Sequence, residues 1–229
     1  MIINQELKSK MINEQPVKIL KIDLETHNVK RIITEKPEGY VFNPGQATNV
    51  SINTLRFRNE KRPFTFTSRS EESVLEFIIK EYPNGITEKI HELKAGEELI
   101  IDEPFGYFGY KGEGIFIAGG TGITPFLSIF RSLGEEIIKK NKLLFFNKTH
   151  KDIICERELN EILGENVVFS LTEEKRKGYL NKRINKAFLK KEITDFNKYF
   201  YVCGPLGFVE RIKKWLIEFG VNKDKIIDG

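Results

Sequence analysis

The chain changes rhythm once, near residue 110, and that change restricts the fold more than any other feature. From Val17 to about Phe108 it runs as short segments of strand composition, "VKILKIDLE", "VKRIITEK", "ATNVSINT", "PFTFTS", "LEFIIKEY" and "EELIIDE", cut by Pro-Gly, Asn-Gly and Lys-Ala-Gly turn signals. Strands so short and so closely spaced predict an antiparallel barrel or sandwich. The one helix-like interruption is "TEKIHELK". Beyond "GYKGEG" the apolar runs "IFIAGG", "KLLFFN", "NVVFSLT" and "YFYVCGP" alternate with helical spacing in "TPFLSIFRSL", "CERELNEIL", "NKAFLKKEI" and "GFVERIKKWLIEFG". Strands alternating with helices predict a parallel sheet covered on both faces. The expected organisation is a polar leader over residues 1–15, a β-barrel domain over 16–110 and an α/β domain over 111–229.

At 229 residues both halves can bury a core. The 37 Lys and Arg against 33 Asp and Glu leave +4, evenly spread, which argues against a nucleic-acid partner. Cys155 and Cys203 are the only cysteines, so neither a disulfide framework nor a four-cysteine iron-sulfur site can form. "MIINQELKSK" lacks the apolar centre of a signal peptide, and no stretch reaches the roughly 20 apolar residues of a membrane span. A cytoplasmic protein is expected, with its oligomeric state open.

Four motifs carry chemistry. In "KRPFTFTSRS" strand periodicity predicts Arg62, Phe64 and Phe66 on one face and Pro63, Thr65 and Thr67 on the other. A guanidinium fork, a flat ring and a hydroxyl suit a planar, phosphorylated cofactor, although an edge strand with a surface arginine has the same pattern. In "NGITEKIHELKAG", Gly85 permits close backbone approach and Thr87 sits where a helix N-cap is expected, an anion site or an ordinary capped helix. "FIAGGTGITPFLSIF" reads as strand, glycine turn and helix, with Gly120, Thr121, Gly122 and Thr124 in the turn and Pro125 in the first helical turn. It lacks both the six-residue Rossmann fingerprint and the lysine of a Walker loop, yet belongs where open parallel sheets bind dinucleotides. "YFYVCGPLGF" ends a buried strand at Cys203, Gly204 and Pro205, at that same carboxyl edge.

In this order, from about Val17 onward, these motifs resemble the ferredoxin-NADP reductase superfamily, and within it the compact flavodoxin reductase and cytochrome b5 reductase type. The flavin motif of that family (arginine, any residue, tyrosine, serine or threonine) is matched by Arg62, Pro63, Phe64 and Thr65, with phenylalanine for tyrosine. Gly85, Ile86 and Thr87 match its pyrophosphate motif, Gly120 to Pro125 its nicotinamide-domain loop, Cys203–Gly204–Pro205 its cysteine-glycine-proline, and "FNPGQ" its barrel turn.

The resemblance implies a barrel that binds FAD, an α/β domain that binds NADH or NADPH, and hydride transfer onto the flavin. Electrons would then pass to a separate acceptor, a flavodoxin, ferredoxin or similar carrier or a small molecule. The alternatives are a free-flavin reductase and an electron-transfer subunit without independent turnover. Arg62 would pair with the pyrophosphate, Phe64 would lie against the isoalloxazine and Thr65 near flavin N5. Ser68, Ile78 and Lys80 would help hold the cofactor, the last two through backbone. Thr65 and Cys203 are the expected catalytic residues. Asp152, in a stretch similar to the threonine-x-lysine-aspartate of cytochrome b5 reductases, would repel a 2′-phosphate and favour NADH, or simply cap the following helix; Lys148 and Lys151 lie nearby. The sequence ends in "KIIDG", without the terminal aromatic of many relatives, which implies an open flavin face unless Phe105, Tyr107 or Phe108 covers the ring.

Overall fold

A computed structural model of the chain describes residues 14–106 and 108–229. Most of the expected leader, residues 1–13, and Tyr107 lie outside the described residues. Six antiparallel strands come first: β1 (Gln15–Thr26), β2 (Val29–Glu35), β3 (Ala47–Ile52), β4 (Arg62–Thr65), β5 (Val74–Lys80) and β6 (Glu98–Ile101). They are ordered β4-β3-β6-β1-β2-β5, and the sheet curls so that its two outer strands meet where the Thr67 N–H donates to the Glu76 carbonyl at 2.9 Å. Alternating apolar residues of these strands fill the barrel. Phe66 stacks on Phe42 at 4.2 Å and lies 5.5 Å from Phe77, all three buried. Helix α1 (Ile86–Glu92) closes the end between β5 and β6.

The second sheet is parallel throughout, β11-β10-β7-β8-β9, formed by β7 (Gly114–Gly119), β8 (Lys142–Asn147), β9 (Val167–Leu171), β10 (Tyr199–Cys203) and β11 (Ile226–Asp228). Every residue of β7 is buried, as a central strand covered on both faces requires. One face packs on α2 (Thr124–Ser132) and α4 (Glu156–Leu163), the short α3 (Glu135–Ile138) adding Ile138. The other packs on α5 (Lys186–Glu192) and α6 (Leu206–Glu218). The first of these cores also takes in Val29 and Ile78 of the barrel, so the two sheets share apolar packing. Buried Tyr201 stacks on Phe116 at 4.2 Å, and its hydroxyl accepts from the Lys111 and Gly112 N–H groups at 2.8 and 3.1 Å. It thereby ties the segment linking the sheets to β10. The expected antiparallel barrel and parallel α/β domain are both present.

Candidate functional site

Strand order in the parallel sheet reverses between β7 and β10, and open α/β sheets bind ligands beyond the carboxyl ends of their strands at such a point. From β7 the chain enters a 3-10 turn, Gly120–Ile123, and then α2 with Pro125 in its first turn, as the sequence predicts. Gly120 has φ +55°, and the Thr124 hydroxyl donates to the Thr121 carbonyl at 3.0 Å. Beside it, Cys203 ends β10 in register with Ala118. The two loops meet backbone to backbone: a Cβ on Gly122 would lie 2.3 Å from the Cys203 carbonyl oxygen and 2.6 Å from the Gly204 nitrogen. Pro205 then opens α6.

A cavity of about 320 Å³ lies at this edge, walled by Gly119, Gly120, Thr121, Pro205 and Phe208 on one side and by Val29, Lys80 and Tyr82 of the barrel on the other. Lys148, Arg183 and Arg211 add to Lys80 to make the wall cationic. Arg183 and Arg211 have no carboxylate partner among the described residues. Asn147, at the carboxyl end of β8, is only 5% exposed, and both polar atoms of its side chain lack a hydrogen-bond partner among the described residues. A buried polar group left so costs about 1–3 kcal/mol, which points to a need that a ligand supplies.

Asp152 is on the same wall but does not cap the following helix. It closes its own turn: the Thr149 N–H and hydroxyl donate to its Oδ2 at 2.9 and 2.6 Å, and His27 lies 3.8 Å from Oδ1. Partial burial pushes its carboxyl up, but the Thr149 hydrogen bonds outweigh this and hold it below the ordinary range. Cys203 behaves in the opposite sense. Burial pushes its thiol up to about 11, with the Gly204 N–H opposing. At pH 8 about 0.1% is then thiolate, the reactive form. Iodoacetamide at pH 8 should leave Cys203 of the folded protein unmodified while labelling the urea-unfolded chain; equal labelling in both states would contradict this burial.

Strand β4 lies outside that cavity, at the edge of the barrel sheet, paired only with β3. The expected two-faced alternation is not what it shows. Arg62 and Pro63 are exposed, Phe64 and Thr65 half-buried, and Phe66, Thr67 and Ser68 buried. The strand ends at Thr65, and just beyond it Glu76 and Arg131 engage the Thr67 hydroxyl and carbonyl, so Phe66, Thr67 and Ser68 are all buried before Arg69 returns to solvent. Arg62 has no carboxylate partner among the described residues and donates only to the Lys61 carbonyl at 2.9 Å. Lys61, by contrast, is held by Glu14 at 2.7 Å and Asp102 at 2.6 Å. The Thr65 hydroxyl is likewise without a hydrogen-bond partner among the described residues.

Other expected residues are engaged inside the protein. Ser68 Oγ accepts from the Glu76 N–H at 3.1 Å, and the Ile78 side chain packs in the core between the sheets. Thr87 is not the cap of α1. Gly85 is, with an ordinary φ of −126°, and the Thr87 hydroxyl accepts from the Tyr82 N–H at 3.0 Å. Gly85, Ile86 and Thr87 therefore offer a ligand backbone N–H groups only. Of the aromatics beyond β6, Phe108 is buried 5.4 Å from Phe126, whereas Phe105 is 41% exposed. Phe105 pairs through its backbone with Ala47, the β3 partner of Thr65, which puts its backbone beside the inner end of β4 and away from Arg62.

Residues 14–107 match the family described as FAD-binding domain, and residues 116–214 the oxidoreductase NAD-binding domain. An NADH-cytochrome b5 reductase 2 of Mycosarcoma maydis is 30% identical over 81% of this chain and 60% of its own length. The enzyme of the same name from Coccidioides immitis (strain RS) is 30% identical over 86% of this chain and 67% of its own. The chain belongs to the ferredoxin-NADP reductase superfamily. A ferredoxin NADP+ reductase of Neisseria gonorrhoeae with bound FAD and NADP has the same fold, with a TM-score of 0.84 at 18% identity over 95% of this chain and 98% of that one. The chain spans about 60% of the length of the first curated relatives it matches.

The two matched domains are of the kinds that bind FAD and a nicotinamide dinucleotide. The chain's residues fit both. The barrel presents a guanidinium and a hydroxyl with unused hydrogen-bonding capacity on an edge strand, and the cavity presents cations, an unmet buried amide and a loop packed too tightly for any residue but glycine at 122. No helix among the described residues is long and apolar enough to cross a membrane. Asn147, Arg183 and Arg211 line the cavity and were not among the residues that sequence reasoning picked out. An asparagine closing a strand reads as a turn residue, and the two arginines stand among many surface cations.

Proposed function

We propose that the chain oxidises NAD(P)H at the cavity between its two sheets and passes the electrons, through FAD bound along β4, to a separate one-electron carrier. What carries this reading is that one cavity joins the β7 and β10 loops to Lys80 and Tyr82 of the barrel, so that a dinucleotide seated on the parallel sheet reaches the barrel. When bound, FAD supplies a hydride acceptor that can give electrons up singly. Each donor loses a hydride, two electrons and a proton, to become NAD(P)+; two carriers are reduced in turn and one proton is released.

The protein holds and orients. The Arg62 fork suits the flavin pyrophosphate, with N–H groups of Gly85, Ile86 and Thr87 as a second anchor; Phe64 walls the ring and the Thr65 hydroxyl serves its reacting edge. The Lys80 side chain extends the earlier expectation of a backbone role by facing the dinucleotide phosphates. Gly120, Thr121, Gly122, Thr124 and Pro125 seat the dinucleotide, and Cys203, protonated and flanked by Gly204 and Pro205, sits beside the nicotinamide. Residues 16–110 would form the flavin domain and 111–229 the nucleotide domain. The relatives' names favour a cytochrome b5-type carrier over ferredoxin or flavodoxin, and the unpaired cysteines suit a reducing, cytoplasmic setting.

Steady-state reduction of a cytochrome b5, a ferredoxin and a flavodoxin by the purified protein, each with NADH and NADPH, tests the proposal. The expected result is fastest turnover with cytochrome b5 and a larger kcat/KM for NADH, because ionised Asp152 faces the cavity. A larger kcat/KM for NADPH would reverse the donor preference and assign Arg183 and Arg211 to the extra phosphate. No turnover with any carrier would overturn the assignment.

A further inference from the structure

Helix α2 leaves the dinucleotide loop and is joined to the barrel at two places one turn apart. The Gly45 N–H donates to Ser128 Oγ at 2.9 Å, a buried bond. Three residues later Arg131 donates through Nη1 to the Thr67 carbonyl at 2.5 Å and to Glu76 Oε1 at 2.7 Å. Its Nε and Nη2 grip the two oxygens of Glu158 on α4 at 2.5 and 2.8 Å. Glu76 is in turn held from the other side by Arg31 at 3.1 Å, and Arg31 by Glu25 at 2.8 Å. Glu25, Arg31, Glu76, Arg131 and Glu158 thus alternate in sign across the junction, with side chains 11–28% exposed. Burial pushes the Glu76 carboxyl up, but Arg131, Arg31 and Thr67 outweigh it and keep it charged.

The same carboxylate organises the inner end of the flavin strand. Thr67 Oγ1 donates to Glu76 Oε1 at 2.7 Å, and the Glu76 N–H donates to Ser68 Oγ at 3.1 Å. One end of α2 therefore fastens the segment that continues β4, and the other begins at the loop lining the cavity. We infer that Arg131, with Ser128, is a positioning residue for hydride transfer: it sets the register between the flavin strand and the dinucleotide loop through the body of α2. This rests on the functional reading above. A planar fork that binds four acceptor oxygens on three residues at once holds direction as well as distance, which a lysine in its place does not. A misplacement of about 1 Å between reacting centres costs on the order of 100-fold in rate.

The test uses Arg131→Lys and Ser128→Ala, the second removing the Gly45 link without touching a charge. Each variant and the parent, with FAD bound, is mixed anaerobically with saturating NADH in a stopped-flow instrument. Hydrogen exchange of the peptide spanning Gly119–Leu127 is followed in the same proteins with FAD and after its removal. The expected result is FAD retention and NADH affinity within about twofold of the parent, hydride transfer slowed about tenfold in Arg131→Lys and several-fold in Ser128→Ala, and faster loop exchange with or without FAD. A merely structural role would lower the unfolding midpoint and leave the saturated rate and the loop exchange unchanged, and that outcome overturns the inference. If Arg131→Lys does not fold, Ser128→Ala decides alone by the same criteria. A parent whose flavin neither NADH nor NADPH bleaches would instead fail the functional reading.

Discussion

Arg62→Ala should release FAD. The guanidinium is exposed at the start of an edge strand with no carboxylate among the described residues to neutralise it, so its fork is available to a diphosphate at little cost. A hydrogen bond to a charged group contributes about 1.5–3 kcal/mol, and a bidentate one more, so flavin affinity should fall about 10- to 100-fold or further. The variant should remain folded, because Arg62 supports nothing else among the described residues beyond its contact with the Lys61 carbonyl. Isothermal titration of flavin-stripped protein with FAD checks this, with Lys61→Ala for comparison. Lys61 is held by Glu14 and Asp102, so its loss should lower stability while leaving FAD affinity nearly unchanged. Equal affinity in Arg62→Ala and parent would remove β4 from the flavin site.

Gly122→Ala should be the most damaging single methyl in the α/β domain. The added carbon would run into one peptide unit, meeting the Cys203 carbonyl carbon and oxygen and the Gly204 nitrogen at 2.3–2.6 Å, and no side chain can rotate away to relieve it. Separating the loops costs the upper end of the about 1–3 kcal/mol usual for overpacking, or more. That corresponds to a Tm lower by about 6–12 °C in a chain of this size. Because the same loops form the cavity edge, NADH binding should weaken strongly while FAD binding on the barrel persists. Gly120→Ala is the informative contrast. Its Cβ would meet nothing within 4 Å, and its φ of +55° makes the penalty one of backbone strain alone. Calorimetry together with nicotinamide titration separates the two; a Gly122→Ala protein that melts and binds NADH as the parent does would contradict the packing of β7 against β10.

The two layers of the fold were legible because each imposes a period. Short alternating strands gave the barrel, and fully apolar runs such as "IFIAGG" could satisfy both faces of a parallel sheet only with helices between them. The glycine loop was legible because close backbone contact excludes every other residue at 122. Thr87 misled because a threonine beside a helix start looks like a cap, while its hydroxyl is spent on the Tyr82 turn. Around Phe64 the alternation misled because the strand ends at Thr65 and Glu76 and Arg131 cover the outer side of Thr67 just beyond it. The charge ladder left one trace. Glu76 interrupts the buried run "VLEFIIK", and a carboxylate there demands partners, though its sequence could not reveal that one would be Arg131, 55 residues away. Asn147 left none, since its unmet amide exists only once the cavity does.

The central claim is that the two halves act as one hydride-transfer unit. An anaerobic titration of the purified, flavin-bearing protein with NADH, followed by visible absorbance, tests it most directly. The account predicts bound FAD at one per chain, bleached in full by one equivalent of NADH, and a primary isotope effect when the transferred hydrogen of the donor is deuterium. A protein that carries no flavin, or one whose bound FAD stays oxidised under excess NADH and NADPH, would contradict it.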